Sequence, residues 1–209
     1  MDYQKENALN LLEFRAKHVP LWEKQSIQLK AASDVVYSKL VEANNEIRRL
    51  LDENTDDENL GNIAAGLNQV WMLTVGYSIE SLVKAIIIAT TTKPIILNDK
   101  FNMKIFGNSS RSHDLHYLLQ RKIDSPYKPV LSSEQNAFLL KITAYTTWRG
   151  KYPVPKDPMD QLRYLGPDSE QLYVDLGPAR LPNNKDRTSF MAIFDLLYAK
   201  LQEAKENKA

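Results

Sequence analysis

Apolar residues recur at helical spacing along most of this chain, and that recurrence predicts a bundle of helices. From about Asp2 to His18, residues Ala8, Leu11, Leu12 and Phe14 carry the pattern, and Pro20 is expected to close the segment. A longer helix should follow from Leu21 to about Leu51. Its stripe is Leu29, Val36, Leu40, Ile47 and Leu51, with Lys, Glu and Gln between them on a wet face. The acidic stretch from Asp52 to Asn59 reads as a loop whose last carboxylates suit a helix N-terminus. A third helix runs from about Leu60 to Thr90. There Val75, Ile79, Leu82, Val83 and Ile86 fall at i, i+4, i+7, i+8 and i+11, while Ile87 and Ile88 add apolar surface on the opposite side. This helix is expected at the centre of the bundle.

Between Pro94 and Phe106 the pattern is ambiguous. Apolar runs flank Asn98 and Asp99, which suits a short hairpin or a structured loop. Ser112 is expected to cap a short helix from His113 to about Lys122, with Leu115, Leu118 and Leu119 facing inward. Ser132 and Gln135 form a capping-box pattern for the next helix, which carries Phe138, Leu139, Ile142 and Tyr145, reaches Arg149 and ends on Gly150. Pro153, Pro155, Pro158, Pro167, Pro178 and Pro182 then force an irregular excursion, in which Leu172 to Leu176 is the one strand-like piece. A last helix from Asp186 to about Glu206 shows a stripe of Phe190, Ile193, Phe194, Leu197 and Leu201. The expectation is all-α: a single domain over 1–209, with N-terminal helices over 2–51, a core over 60–152, a Pro-rich segment over 153–184 and a C-terminal helix over 185–206.

Composition narrows the function classes. A chain of 209 residues with 43% hydrophobic and 25% charged side chains buries a substantial core and does not read as disordered. The formal charge is +1, so any electropositive site must be local. With no cysteine, disulfides and thiolate chemistry are excluded, and a reducing compartment fits. The N-terminus lacks the basic-then-apolar layout of a signal peptide. Val70 to Thr90 is apolar enough to suggest a membrane span, but Glu80 and Lys84 stand at its middle, each costing roughly 2.5–3.5 kcal/mol on insertion. A buried core helix of a cytoplasmic protein is the expectation, with no membrane partner.

Three groups of residues carry possible chemistry. Glu80 and Lys84 lie at i, i+4, the spacing both of a solvated helical pair and of a buried polar site between helices. His113 and His116 lie at i, i+3 beside Asp114; no third ligand stands out, so no metal site is expected. Trp148-Arg149-Gly150-Lys151-Tyr152 interleaves aromatic rings with cations, and Lys141 to Arg163 holds five basic residues against Asp157 and Asp160. Such a string suits stacking on unpaired bases and pairing with phosphates. It equally suits a plain helix C-terminus, where cations meet the dipole and tryptophan covers the core edge.

The order of these motifs resembles the HEPN superfamily (higher eukaryotes and prokaryotes nucleotide-binding). Ile79-Glu80-x-x-x-Lys84-Ala85 is similar to the acid and lysine of its central helix, and His113-Asp114-Leu115-x-x-Leu118-Leu119 to the start of the next. Arg149 ends a following helix; the resemblance covers about Leu60 to Tyr152. It implies a homodimeric bundle of four or five helices that interacts with single-stranded RNA or nucleotides in a defence or toxin–antitoxin type system, with an antitoxin or other partner protein and no cofactor. In active members an Arg followed four to six residues later by a His forms a metal-independent ribonuclease site. This chain departs there: Val154, Pro155 and Lys156 occupy those positions and no histidine follows. Tyr152 is the nearby proton donor, a poor base at its ordinary pKa near 10. The resemblance thus points to Arg149, Tyr152 and His113 as catalytic residues, and to Glu80, Lys84, Asp114, Trp148 and Lys151 as binding residues. The reading from another class is a non-catalytic helical interaction module whose polar cluster fixes helix register.

Overall fold

Residues 2–55, 57–108, 111–149 and 184–207 are described by a computed structural model. Helix α1 (Asp2–Lys17) and helix α2 (Val19–Asp52) are separated only by His18. Pro20 sits in the first turn of α2, where its missing N–H has no carbonyl to serve, so it opens this helix instead of closing the one before. Helix α3 (Glu58–Thr90) is capped by Asp57, whose side chain accepts from the Leu60 N–H at 3.1 Å. Val75, Ile79, Leu82, Val83 and Ile86 are all fully buried, as the periodicity requires. From Ser78 to Ala89 every residue of α3 is buried, which makes it the central rod.

Along α2 the buried face is Ser26, Ser33, Tyr37, Leu40, Ala43 and Asn44. That differs from the expected stripe: Leu51 is 62% exposed, and Leu29, Val36 and Ile47 are half-buried. The reason is close approach to α3. Ser26 Oγ donates to the Ser78 carbonyl at 2.8 Å, and Ser78 Oγ donates back to the Ser26 carbonyl at 2.9 Å. Larger apolar side chains at this seam would hold the two backbones apart.

After α3, strands β1 (Ile96–Leu97) and β2 (Lys100–Phe101) pair antiparallel with Ile96 opposite Phe101. Asn98 and Asp99 turn the chain at φ 51° and 58°, so the hairpin reading holds. A 3₁₀ turn (Met103–Ile105) leads to Gly107 at φ +122°, where a Cβ would meet the Tyr117 ring at 2.9 Å. Helix α4 (Leu115–Arg121) buries Leu115, Leu118 and Leu119. Helix α5 (Ser133–Ala144) opens with the complete Ser132–Gln135 capping box. Helix α6 (Asn184–Glu206) buries Phe190, Ile193, Phe194, Leu197 and Leu201. Helix α3 touches α2, α4, α5 and α6, and the shared core is built around it.

Instead of continuing as α-helix to Arg149, α5 passes into a π turn over Tyr145–Arg149. Thr143, Thr146 and Thr147 return their hydroxyls to backbone carbonyls here, a pattern that bends helices. Gly150 and the Pro-rich excursion with Leu172–Leu176 lie outside the described residues. The architecture is an all-α helical bundle with one two-residue hairpin. One helix is long and apolar enough to cross a membrane, the Asn59–Thr90 portion of α3, and 83% of its most apolar window is buried inside the bundle.

Candidate functional site

Gly76, Glu80 and Lys84 stand one helical turn apart on α3. At Gly76 a Cβ would come within 2.3 Å of Thr146 Cγ2, so glycine lets the π turn lie directly on α3. Thr146 Oγ1 then donates to the His113 carbonyl at 3.1 Å and fixes the backbone that enters α4. That contact brings the His113 ring to Glu80. Its Nδ1 lies 3.0 and 3.1 Å from the two carboxylate oxygens, and Lys84 Nζ donates to the same carboxylate at 2.5 Å. Both charged groups of α3 are buried, Glu80 at 6% exposure and Lys84 at 5%. The i, i+4 pair is therefore the interior cluster and not the solvated pair.

Electrostatics keep the cluster ionised. Burial pushes the Glu80 carboxyl up, but the His113 hydrogen bond and the Lys84 ammonium outweigh it and hold the group below its ordinary value. Lys84 also lies 5.0 Å from the centre of the buried Phe106 ring, whose face attracts a cation. Burial, with the Glu80 charge second, raises the Tyr77 phenol. An ionised carboxylate can only accept, so the proton between Glu80 and His113 belongs to Nδ1. Neutral His113 then keeps Nε2 as its acceptor nitrogen.

His113 also forms part of the wall of an open pocket of about 760 Å³ between the 3₁₀ turn and α4. Lys104, Arg111 and Lys122 line it with Tyr117, and no described lining residue is a carboxylate. Arg111 and Lys122 lie over the Tyr117 ring, at 5.2 and 5.8 Å from its centre. Lys122 Nζ further donates to the Lys104 carbonyl at 3.3 Å. The arrangement can receive an anion and present to it one imidazole whose orientation a buried carboxylate fixes.

No family model, curated protein or solved structure matches this chain.

The structure thus brings together Glu80, Lys84 and His113 among the residues singled out from sequence. Asp114 does something else: its carboxylate caps α4, accepting from the Tyr117 N–H at 2.9 Å, the role expected of Ser112. With Asp114 as the cap, His113 lies outside the helix, so it does not share a helical face with His116. No group of three His, Asp or Glu side chains that suits a metal occurs among the described residues. The backbone of Trp148 and Arg149 closes the π turn, while their side chains, Lys151 and Tyr152 lie outside the described residues. The pocket cations went unnoticed in the sequence. Their signal was present, since Lys100, Lys104 and Arg111 fall in a run from 100 to 113 that contains no Asp or Glu.

Proposed function

We propose that this protein is a HEPN-like module that interacts with RNA or nucleotides, in a defence or toxin–antitoxin type system and as a homodimer. The observation that carries the reading is the pocket of Lys104, Arg111 and Lys122, beside a His113 anchored by buried Glu80. Cations concentrated in a concavity without opposing carboxylates favour phosphate groups, while a net charge of +1 gives no such preference elsewhere by default. Arg149, Trp148 and Lys151 enter the reading from the sequence alone. The finer form, a metal-independent ribonuclease, rests on His113 and Arg149 and is tested by incubating RNA with the protein in a chelator.

Binding is tested by titrating labelled single-stranded RNA at several salt concentrations. Three phosphate contacts predict that log K falls against log salt with a slope of about −2. Absence of salt-dependent binding to RNA or nucleotides sinks the proposal. The second reading, a non-catalytic interaction module, then takes over. It is favoured by the Glu80 carboxylate, which bonds internally to Lys84 and His113 and so fixes the packing of α3 against the entry to α4.

A further inference from the structure

The pocket has a feature that separates two kinds of phosphate ligand. A running single strand spreads its charges, one per phosphodiester, and proteins that hold it combine a basic groove with aromatic faces for successive bases. Here Tyr117 is the one Phe, Tyr or Trp among the described lining residues. Its ring is already engaged by the Arg111 guanidinium at 5.2 Å and the Lys122 ammonium at 5.8 Å. Gly107 lies against the ring edge so closely that no Cβ would fit. The tyrosine therefore acts as a post that gathers cations, not as a platform for a base.

Its position also clusters the charges. Arg111 and Lys122 share one ring, and Lys122 is tied to the backbone of Lys104 at 3.3 Å. A cluster of this kind matches an anion whose charge is equally compact. A terminal phosphate carries about −1.5 to −2 at pH 7 against −1 for a diester, and a di- or triphosphate concentrates more within a few ångströms. Resting on the nucleotide reading above and sharpening it, we infer that the pocket takes a clustered phosphate group, the polyphosphate of a free nucleotide or of an RNA 5′ end, and not the interior of a strand.

The experiment uses the full chain and fluorescence polarisation. The probes are a short RNA bearing a 5′-triphosphate and the same RNA bearing a 5′-hydroxyl, with inorganic tripolyphosphate and ATP as competitors. The triphosphate RNA should bind at least about tenfold more tightly, the worth of one added charge-assisted contact. Tripolyphosphate should compete with it. Arg111→Ala and Lys122→Ala, checked for native circular dichroism, should each remove about tenfold from the triphosphate ligand and little from the 5′-hydroxyl RNA. Competition by ATP on a par with the triphosphate RNA identifies a free nucleotide as the occupant, and a clear advantage for the RNA identifies a strand end; both support the inference. Equal affinity for the two RNAs, or unchanged triphosphate binding in both variants, overturns it and leaves the broader RNA-binding reading standing. Failure of every probe to bind overturns both.

Discussion

Replacing Glu80 with alanine tests the interior cluster directly. The carboxylate is 6% exposed and serves Lys84 at 2.5 Å and His113 at 3.0 Å. Its removal leaves the Lys84 ammonium at 5% exposure with the Phe106 ring, 5.0 Å away, as its remaining partner among the described residues. A cation–π contact is worth about 2 kcal/mol when desolvated, well short of a buried ion's desolvation cost. The expected loss is therefore about 3–5 kcal/mol in a urea melt at neutral pH, with an unchanged m-value. Adding Lys84→Met removes the stranded charge and should recover most of that loss, because an apolar replacement of a whole buried pair is often neutral. The wild type should also show a characteristic acid limb. Glu80 titrates below its usual value of 4.5, so its contribution is complete above that pH and disappears as the pH falls through the lower folded value. A loss under about 1 kcal/mol in Glu80→Ala, the worth of an exposed pair, would refute the reasoning.

Three further outcomes follow from the packing. Gly76→Ala places a methyl 2.3 Å from Thr146 Cγ2 and should cost about 1–3 kcal/mol by overpacking, seen as a lower Tm; an unchanged Tm would show that the π turn yields freely. Ser26→Ala removes one donor of the reciprocal serine pair and leaves the Ser78 carbonyl short of it, for an expected loss of about 1–3 kcal/mol in the same melts. Because burial outranks the Glu80 charge in raising the Tyr77 phenol, Glu80→Gln should lower its pKa yet leave it above 10.0, read from ultraviolet titration against a Tyr77→Phe background; a return to 10.0 would reverse that ranking.

The sequence showed the fold better than the site. Helix α3 was legible because burial on all sides asks only for apolar residues, and Val75 through Ile86 supply them without ambiguity. The cap of α5 was legible because Ser132 and Gln135 interact locally. The face of α2 misled because close packing selects Ser26, Ser33 and Ala43, residues a hydrophobic pattern undervalues, while Leu51 stands in water. Glu80 and Lys84 have the same spacing in a buried cluster as in a solvated one. What decides between them is His113 and Phe106, which only the folded chain brings near. The pocket is likewise a product of tertiary contact: Lys104 and Lys122 meet through Tyr117 and a turn, at a separation no local motif encodes.

The π turn at Tyr145–Arg149 has a bearing on how this segment tolerates changes of length. A π turn closes i→i+5 bonds, one residue wider than an α turn, so it stores a residue that a regular helix would not need. Deleting one residue there would let the backbone relax into ordinary α geometry with its hydrogen bonds intact, and stability alone would register little. Each residue of an α-helix, however, turns the chain by about 100°. The deletion would therefore swing Arg149 and the departing chain around the helix axis while leaving α5 itself in place. Thr146 would leave its seat on Gly76 by the same rotation, and His113 would lose the hydroxyl that holds its carbonyl. The length of this short turn is thus a dial that sets the bearing of the chain exit and the seating of His113 together, so insertions and deletions here should separate folding from function more cleanly than substitutions.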